Sequence, residues 1–195
     1  MSSGAPALDA LLGEIRACTR CAAHLPLGPR PVVHAAASAR VLLVGQAPGT
    51  KVHATGISYN DPSGDLLRHW LGLDRDRFYD ETRIAIMATG LCYPGRGPGG
   101  DLPPRPECAP LWQPRLRRLL PRLELTLLIG SYAVAYYLGR RPGTLADTVR
   151  RWREFGPDFV PMPHPSPRNR RWLRDNAWFE ADVVPEIRSR VQALM

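Results

Sequence analysis

The chain is almost without lysine. Lys51 is the only one among 26 basic residues. A bias in base composition would account for arginine over lysine, but not for a net charge of +8. That excess favours an acidic partner, and nucleic acid heads the list. No stretch approaches the ~20 consecutive apolar residues that span a bilayer, which excludes a membrane helix. The first residues, MSSGAPALDALLGEIRACTRC, lack the basic n-region and apolar h-region of a signal peptide. We therefore expect a cytoplasmic protein. Neither the GxGxxG spacing of a dinucleotide site nor the GKS/T ending of a P-loop is present. Internal repeats are also lacking, and no composition shift marks a second domain. A chain of 195 residues with 44% hydrophobic residues is expected to form one domain over 1–195.

Short apolar runs supply the architecture. VLLVG, IAIMA, LTLLIG and FVPMP lie within segments 40–45, 83–88, 125–130 and 158–162. They lack strict alternation, as strands buried on both faces do. Helical patterns fit at 5–16, 63–72, 109–121, 131–139 and 178–194. Alternation of strand and helix predicts an α/β fold: three layers, with helices on both sides of a central four-stranded parallel sheet. Ligands of such sheets sit beyond the carboxyl ends of the strands. The loops after Gly45, Ala88, Gly130 and Met162 should then surround one site. The segment YPGRGPGGDLPPRPEC, 93–108, reads as a long loop. Such loops inside compact domains are usually functional or tied down.

The loop VLLVGQAPGT, 41–50, contains no Asp, Glu, His or Cys. Chemistry must come from elsewhere. His164 stands in HPSPRN with prolines on both sides, which fix its backbone. Ser166, Pro167, Arg168, Asn169, Arg170 and Arg171 follow, a turn suited to a phosphate backbone. In GISYNDPSGDLLRHWL, 56–71, Ser63 is the expected N-cap of a helix, with Asp65 in its first turn. Asp61 is left in the loop before it, where an Asx-turn is its ordinary role. Tyr59 could stack on a flat ligand or simply pack.

Four cysteines remain: Cys18 and Cys21 in a C-x2-C pair, and Cys92 and Cys108 bracketing the Gly/Pro loop. Structural disulfides are rare in the cytosol. Four thiolates suit tetrahedral zinc or an iron–sulfur cluster, and spacing does not choose between them. Either would anchor the N-terminal segment to the long loop.

Together these motifs resemble the uracil-DNA glycosylase superfamily, in its iron–sulfur branches, from Cys18 to about Asn169. GQAPG is similar to the first signature loop. The cysteine order is similar to that holding a [4Fe-4S] cluster, which implies Cys18, Cys21, Cys92 and Cys108 as ligands, zinc being the less favoured occupant. HPSPRN resembles the third motif, where a histidine precedes the loop that wedges into DNA. Two positions depart from one branch: Gln46 stands where it has a catalytic Glu, and Ala88 where it has a uracil-reading Asn. DPSGDLL and HPSPRN look more like the broad-specificity branch, family 5 rather than family 4.

The resemblance implies a monofunctional DNA N-glycosylase of base excision repair, acting as a monomer near the nucleoid on DNA with uracil or other deaminated bases. It implies Asp61 as the catalytic carboxylate, with His164 and Asn169 at the reaction centre. Gly45, Gln46, Ala47, Tyr59 and Ala88 would form the base pocket. Ser166, Pro167, Arg168, Arg170 and Arg171 would contact DNA. The rival readings are a non-catalytic DNA- or lesion-binding member, a nucleotide-binding flavodoxin-like or Rossmann enzyme, and a covalent trap through the histidine. The absent phosphate motif weighs against the second. FVPMP before the histidine, without a basic insertion, weighs against the third.

Overall fold

A computed structural model describes residues 4–139 and 142–195. Four strands, β1 (Val41–Val44), β2 (Ile84–Ile86), β5 (Leu125–Ile129) and β6 (Phe159–Met162), form a parallel sheet in the order β2-β1-β5-β6. Each lies inside the segment its apolar run predicts. Both faces are covered. Val41, Leu43, Ile86, Leu127 and Ile129 face one layer, where Trp70 and Phe179 pack edge to face at 5.0 Å. Leu42, Val44, Met87 and Leu128 face the other, against Leu8, Ile15, Trp112 and Leu116. Burying each such side chain is worth about 1.5–3 kcal/mol, and runs apolar on both faces can be satisfied only between two helical layers.

The first layer comprises α3 (Pro62–Leu71) and α9 (Val184–Gln192); the second comprises α1 (Gly4–Arg16), α5 (Cys108–Arg118) and α6 (Ser131–Leu138). Four short helices, α2 (Thr50–Thr55), α4 (Arg75–Phe78), α7 (Leu145–Arg150) and α8 (Arg170–Asp175), were not expected. Too short for a periodic signal, two of them are fixed by caps instead: Asp74 on α4, and a Thr144–Asp147 capping box on α7. The expected helix over 178–194 divides. Residues Phe179–Val183 are π-helical and lead into α9. Pro185 has no N–H to return to the preceding turn, and the wider turn absorbs the defect.

The N-cap of α3 is Asp61, not Ser63. Its Oδ1 accepts the Gly64 N–H at 3.0 Å. Pro62 explains the difference: its fixed φ and missing N–H suit the first helical position, which moves the cap back to residue 61. The 93–108 loop also differs from expectation. Arg96–Gly97 (β3) and Gly100–Asp101 (β4) pair as a small antiparallel hairpin.

Candidate functional site

The carboxyl ends of β1, β2 and β6 open onto a cleft of about 480 Å³. Its walls include Gly45, Gln46, Ala47, Tyr59, Asp61, Ala88, His164, Ser166, Pro167, Arg168 and Asn169. The structure thus brings together candidates drawn from four separate stretches of sequence. Arg170 and Arg171 do not line it. They follow on α8, exposed, and Arg171 lies 3.6 Å from Asp175.

The floor is the loop after β1. Thr89 and Gly90 occupy its carbonyls: the Thr89 hydroxyl donates to Gln46 O at 2.7 Å and the Gly90 N–H at 2.8 Å. Among the described residues no partner takes the N–H of Gln46 or Ala47. The end of β2 is held from behind. Gln113, buried on α5, donates to Met87 O and Ala88 O, both at 3.1 Å, and accepts the Tyr137 hydroxyl at 2.6 Å. The Gln46 amide does not offer itself to a ligand. It donates to Leu102 O at 3.2 Å, joining the floor to the hairpin.

Tyr59 has φ +55, rare outside glycine. Its ring meets Phe78 edge-on at 6.1 Å, and its buried hydroxyl has no hydrogen-bond partner. Burial, then the nearby Asp61, pushes that phenol well above its ordinary pKa. Asp61 follows at the head of α3, with one carboxylate oxygen on the Gly64 N–H.

His164 is carried by the turn after β6. Burial lowers its pKa, with Asp61 and Asp101 opposing more weakly, so the imidazole is held neutral at pH 7. Its ring nitrogens have no partner among the described residues. Asn169 is not free in the way expected of a group that handles water: its Nδ2 donates to His164 O at 2.8 Å and clamps the turn. Sequence reasoning missed Asp101. The hairpin carries it to the cleft wall, and the only available signal was GGD within a glycine-rich loop.

Cys18, Cys21, Cys92 and Cys108 come from the end of α1, the loop after β2 and the start of α5. All four are unbridged, and they line one small cavity of about 30 Å³. Burial pushes the Cys92 thiol up to about 11 and the Cys108 thiol up to about 12. Arg105 lines the same cavity, and its Nε–H is buried without a partner. Among the described residues, no three His, Cys, Asp or Glu side chains gather as one ion would require.

A model of the uracil DNA glycosylase superfamily matches residues 32–188. The chain belongs to that superfamily. Its members act on DNA and are typically glycosylase hydrolases. The chain is also similar to a solution structure of a Methanosarcina acetivorans protein described as a candidate uracil DNA glycosylase. The match has a TM-score of 0.50 and 18% identity, and covers 83% of this chain and 98% of that one. At that identity the likeness concerns the fold, and it agrees with the parallel sheet and flanking helices described above. All of the residues lining the cleft fall within the stretch that matches the superfamily. Among the described residues no helix is long and apolar enough to cross a membrane.

Proposed function

We propose that this member of the superfamily is a monofunctional DNA glycosylase that removes uracil or another deaminated base from DNA. The observation that carries the proposal is the convergence of Asp61, His164 and Tyr59 on one cleft at the carboxyl end of the sheet. Flipping a base out of a duplex costs a few kcal/mol. Arg168 at the cleft wall and the exposed Arg170 and Arg171 supply phosphate contacts that offset it. The base then lies over the 45–47 floor, with Tyr59 against its face.

Breaking the N-glycosidic bond passes through a sugar with oxocarbenium character. Positive charge grows on the sugar and negative charge on the base. The Asp61 oxygen not engaged by Gly64 faces the first and takes a proton from the attacking water, whose oxygen adds to C1′. The bonding pair leaves with the base. Neutral His164 donates an N–H to a carbonyl oxygen of the departing anion, beside the unpaired N–H groups of Gln46 and Ala47. Asn169 acts on this step through the turn it clamps.

Four cysteines lining one cavity suit a [4Fe-4S] cluster or a tetrahedral zinc ion; the order of the cysteines in the sequence supports the cluster. The unpaired Nε–H of Arg105 suits a group rich in thiolate and sulfide. Bound there, a cluster would serve as a structural tie between α1 and the loop that carries the hairpin. The position of Asp61 beside SGD, with Gln46 and Ala88 in place of carboxylate and amide, supports the broad-specificity branch.

The test is excision from oligonucleotides carrying uracil, hypoxanthine or xanthine, with Asp61→Asn beside wild type. Excision by wild type and its loss in Asp61→Asn, with DNA binding kept, is expected. Full activity of Asp61→Asn would reassign the carboxylate. DNA binding without any excision by wild type would make the protein a lesion binder. A colourless protein with stoichiometric zinc would overturn the cluster.

A further inference from the structure

Asp101 has no ordinary structural task. Its carboxylate makes no hydrogen bond or ion pair with a described residue, yet it lines the cleft of a chain with net charge +8. The hairpin that carries it is fastened on two sides. Gln46 donates to Leu102 O from the floor, and the Arg168 guanidinium lies against Gly100. Asp101 Oδ2 projects over the floor loop, 3.6 Å from where a β-carbon on Gly49 would sit. It is close enough to His164 to act on its charge. Asp101 is exposed at the cleft wall, so its carboxylate is open to a donor that a ligand brings.

Ala88 lines the cleft at the end of β2, and its methyl can neither donate nor accept. We propose that Asp101 is the base-reading group: a carboxylate oxygen accepts the ring N–H of the flipped base. A carboxylate is acceptor-only when ionised. Deamination of cytosine or adenine converts a ring nitrogen from a lone pair into an N–H. One acceptor therefore favours uracil over cytosine and hypoxanthine over adenine; thymine and guanine carry the same ring N–H and must be turned away by other walls of the cleft. Asp101 thus separates uracil and hypoxanthine from their parent bases at one ring position.

This rests on the glycosylase reading, and its test separates the two. Single-turnover excision is measured for uracil, hypoxanthine, cytosine and adenine in single-stranded oligonucleotides, with Asp101→Ala and Asp101→Asn beside wild type. Binding to a duplex with a tetrahydrofuran abasic site is measured in parallel. Asp101→Ala should lose roughly ten- to a hundredfold on uracil and hypoxanthine, the scale of a hydrogen bond to a charged group, with abasic-site binding unchanged. Asp101→Asn keeps an acceptor and gains a donor. It should excise uracil within a few-fold of wild type but discriminate less against cytosine and adenine. Excision by Asp101→Ala within twofold of wild type overturns the assignment. So does a loss of abasic-site binding that matches the loss of excision, because the hairpin and not the base would then be the target. A wild type inert on every base overturns the glycosylase reading itself, and this inference with it.

Discussion

The Tyr59 hydroxyl is lodged against the α-carbon of Gly45: a β-carbon there would stand 2.6 Å from the phenol oxygen. The tyrosine cannot easily retreat. Its backbone is left-handed and its ring is wedged on Phe78. Gly45→Ala should therefore push the ring into the cleft. The overpacking costs about 1–3 kcal/mol, or a few degrees in melting temperature at roughly 2–4 °C per kcal/mol. Excision should fall further than stability does, by about a hundredfold for a misplacement near 1 Å. Thermal melts beside single-turnover rates check this, and unchanged excision would show that Tyr59 does not shape the base pocket.

Asp61 caps α3 and is also the proposed catalytic carboxylate, and two substitutions separate these tasks. Asn is as good an N-cap as Asp, whereas Ala costs about 0.5–2 kcal/mol at such a site. Asp61→Asn should melt close to wild type while excision is lost. Asp61→Ala should lose both. Equal melting temperatures for the two variants would mean that the Gly64 contact contributes nothing measurable.

His164 predicts a pH dependence of stability. Its pKa is lowered in the folded protein, first by burial. The unfolded chain therefore binds the proton more readily between that lowered value and about 6.5. The contribution of neutral His164 is fully present above about 6.5 and is lost as pH falls from there toward the folded pKa. His164→Asn should flatten the decline in melting temperature between pH 7.5 and 5.5. An unchanged slope would assign the decline to other groups.

Gln113 lies outside the cleft yet secures the end of β2. Gln113→Leu would leave the Met87 and Ala88 carbonyls and the Tyr137 hydroxyl without their partner. Each buried group left unpaired costs about 1–3 kcal/mol. Denaturant melts should show a large loss of stability. Uracil excision should also fall, as the strand end beside the base loosens. A mildly affected protein would indicate that water replaces the amide.

The sheet was legible because VLLVG, IAIMA, LTLLIG and FVPMP are apolar on both faces, a property of the sequence itself. The rule for parallel strands placed the loop of His164 beside the floor loop, whereas Asp61 and Tyr59, which follow no strand, were placed there only by the family resemblance. Local competition hid the rest. Ser63 and Asp61 are both good caps, and Pro62 decided between them. The hairpin strands are two residues long, with no alternation to read. The Asn169 bond to His164 O and the Gln46 bond to Leu102 O are tertiary, and no periodicity announces them.

The Gln46–Leu102 bond joins the floor of the cleft to the hairpin at its wall. A single side-chain bond of this kind is worth about 0.5–1.5 kcal/mol, less than the few kcal/mol needed to flip a base. Releasing it would free the hairpin from the floor at little expense. A pyrimidine and the larger purine could then be housed by the same walls, with the amide acting as an adjustable latch.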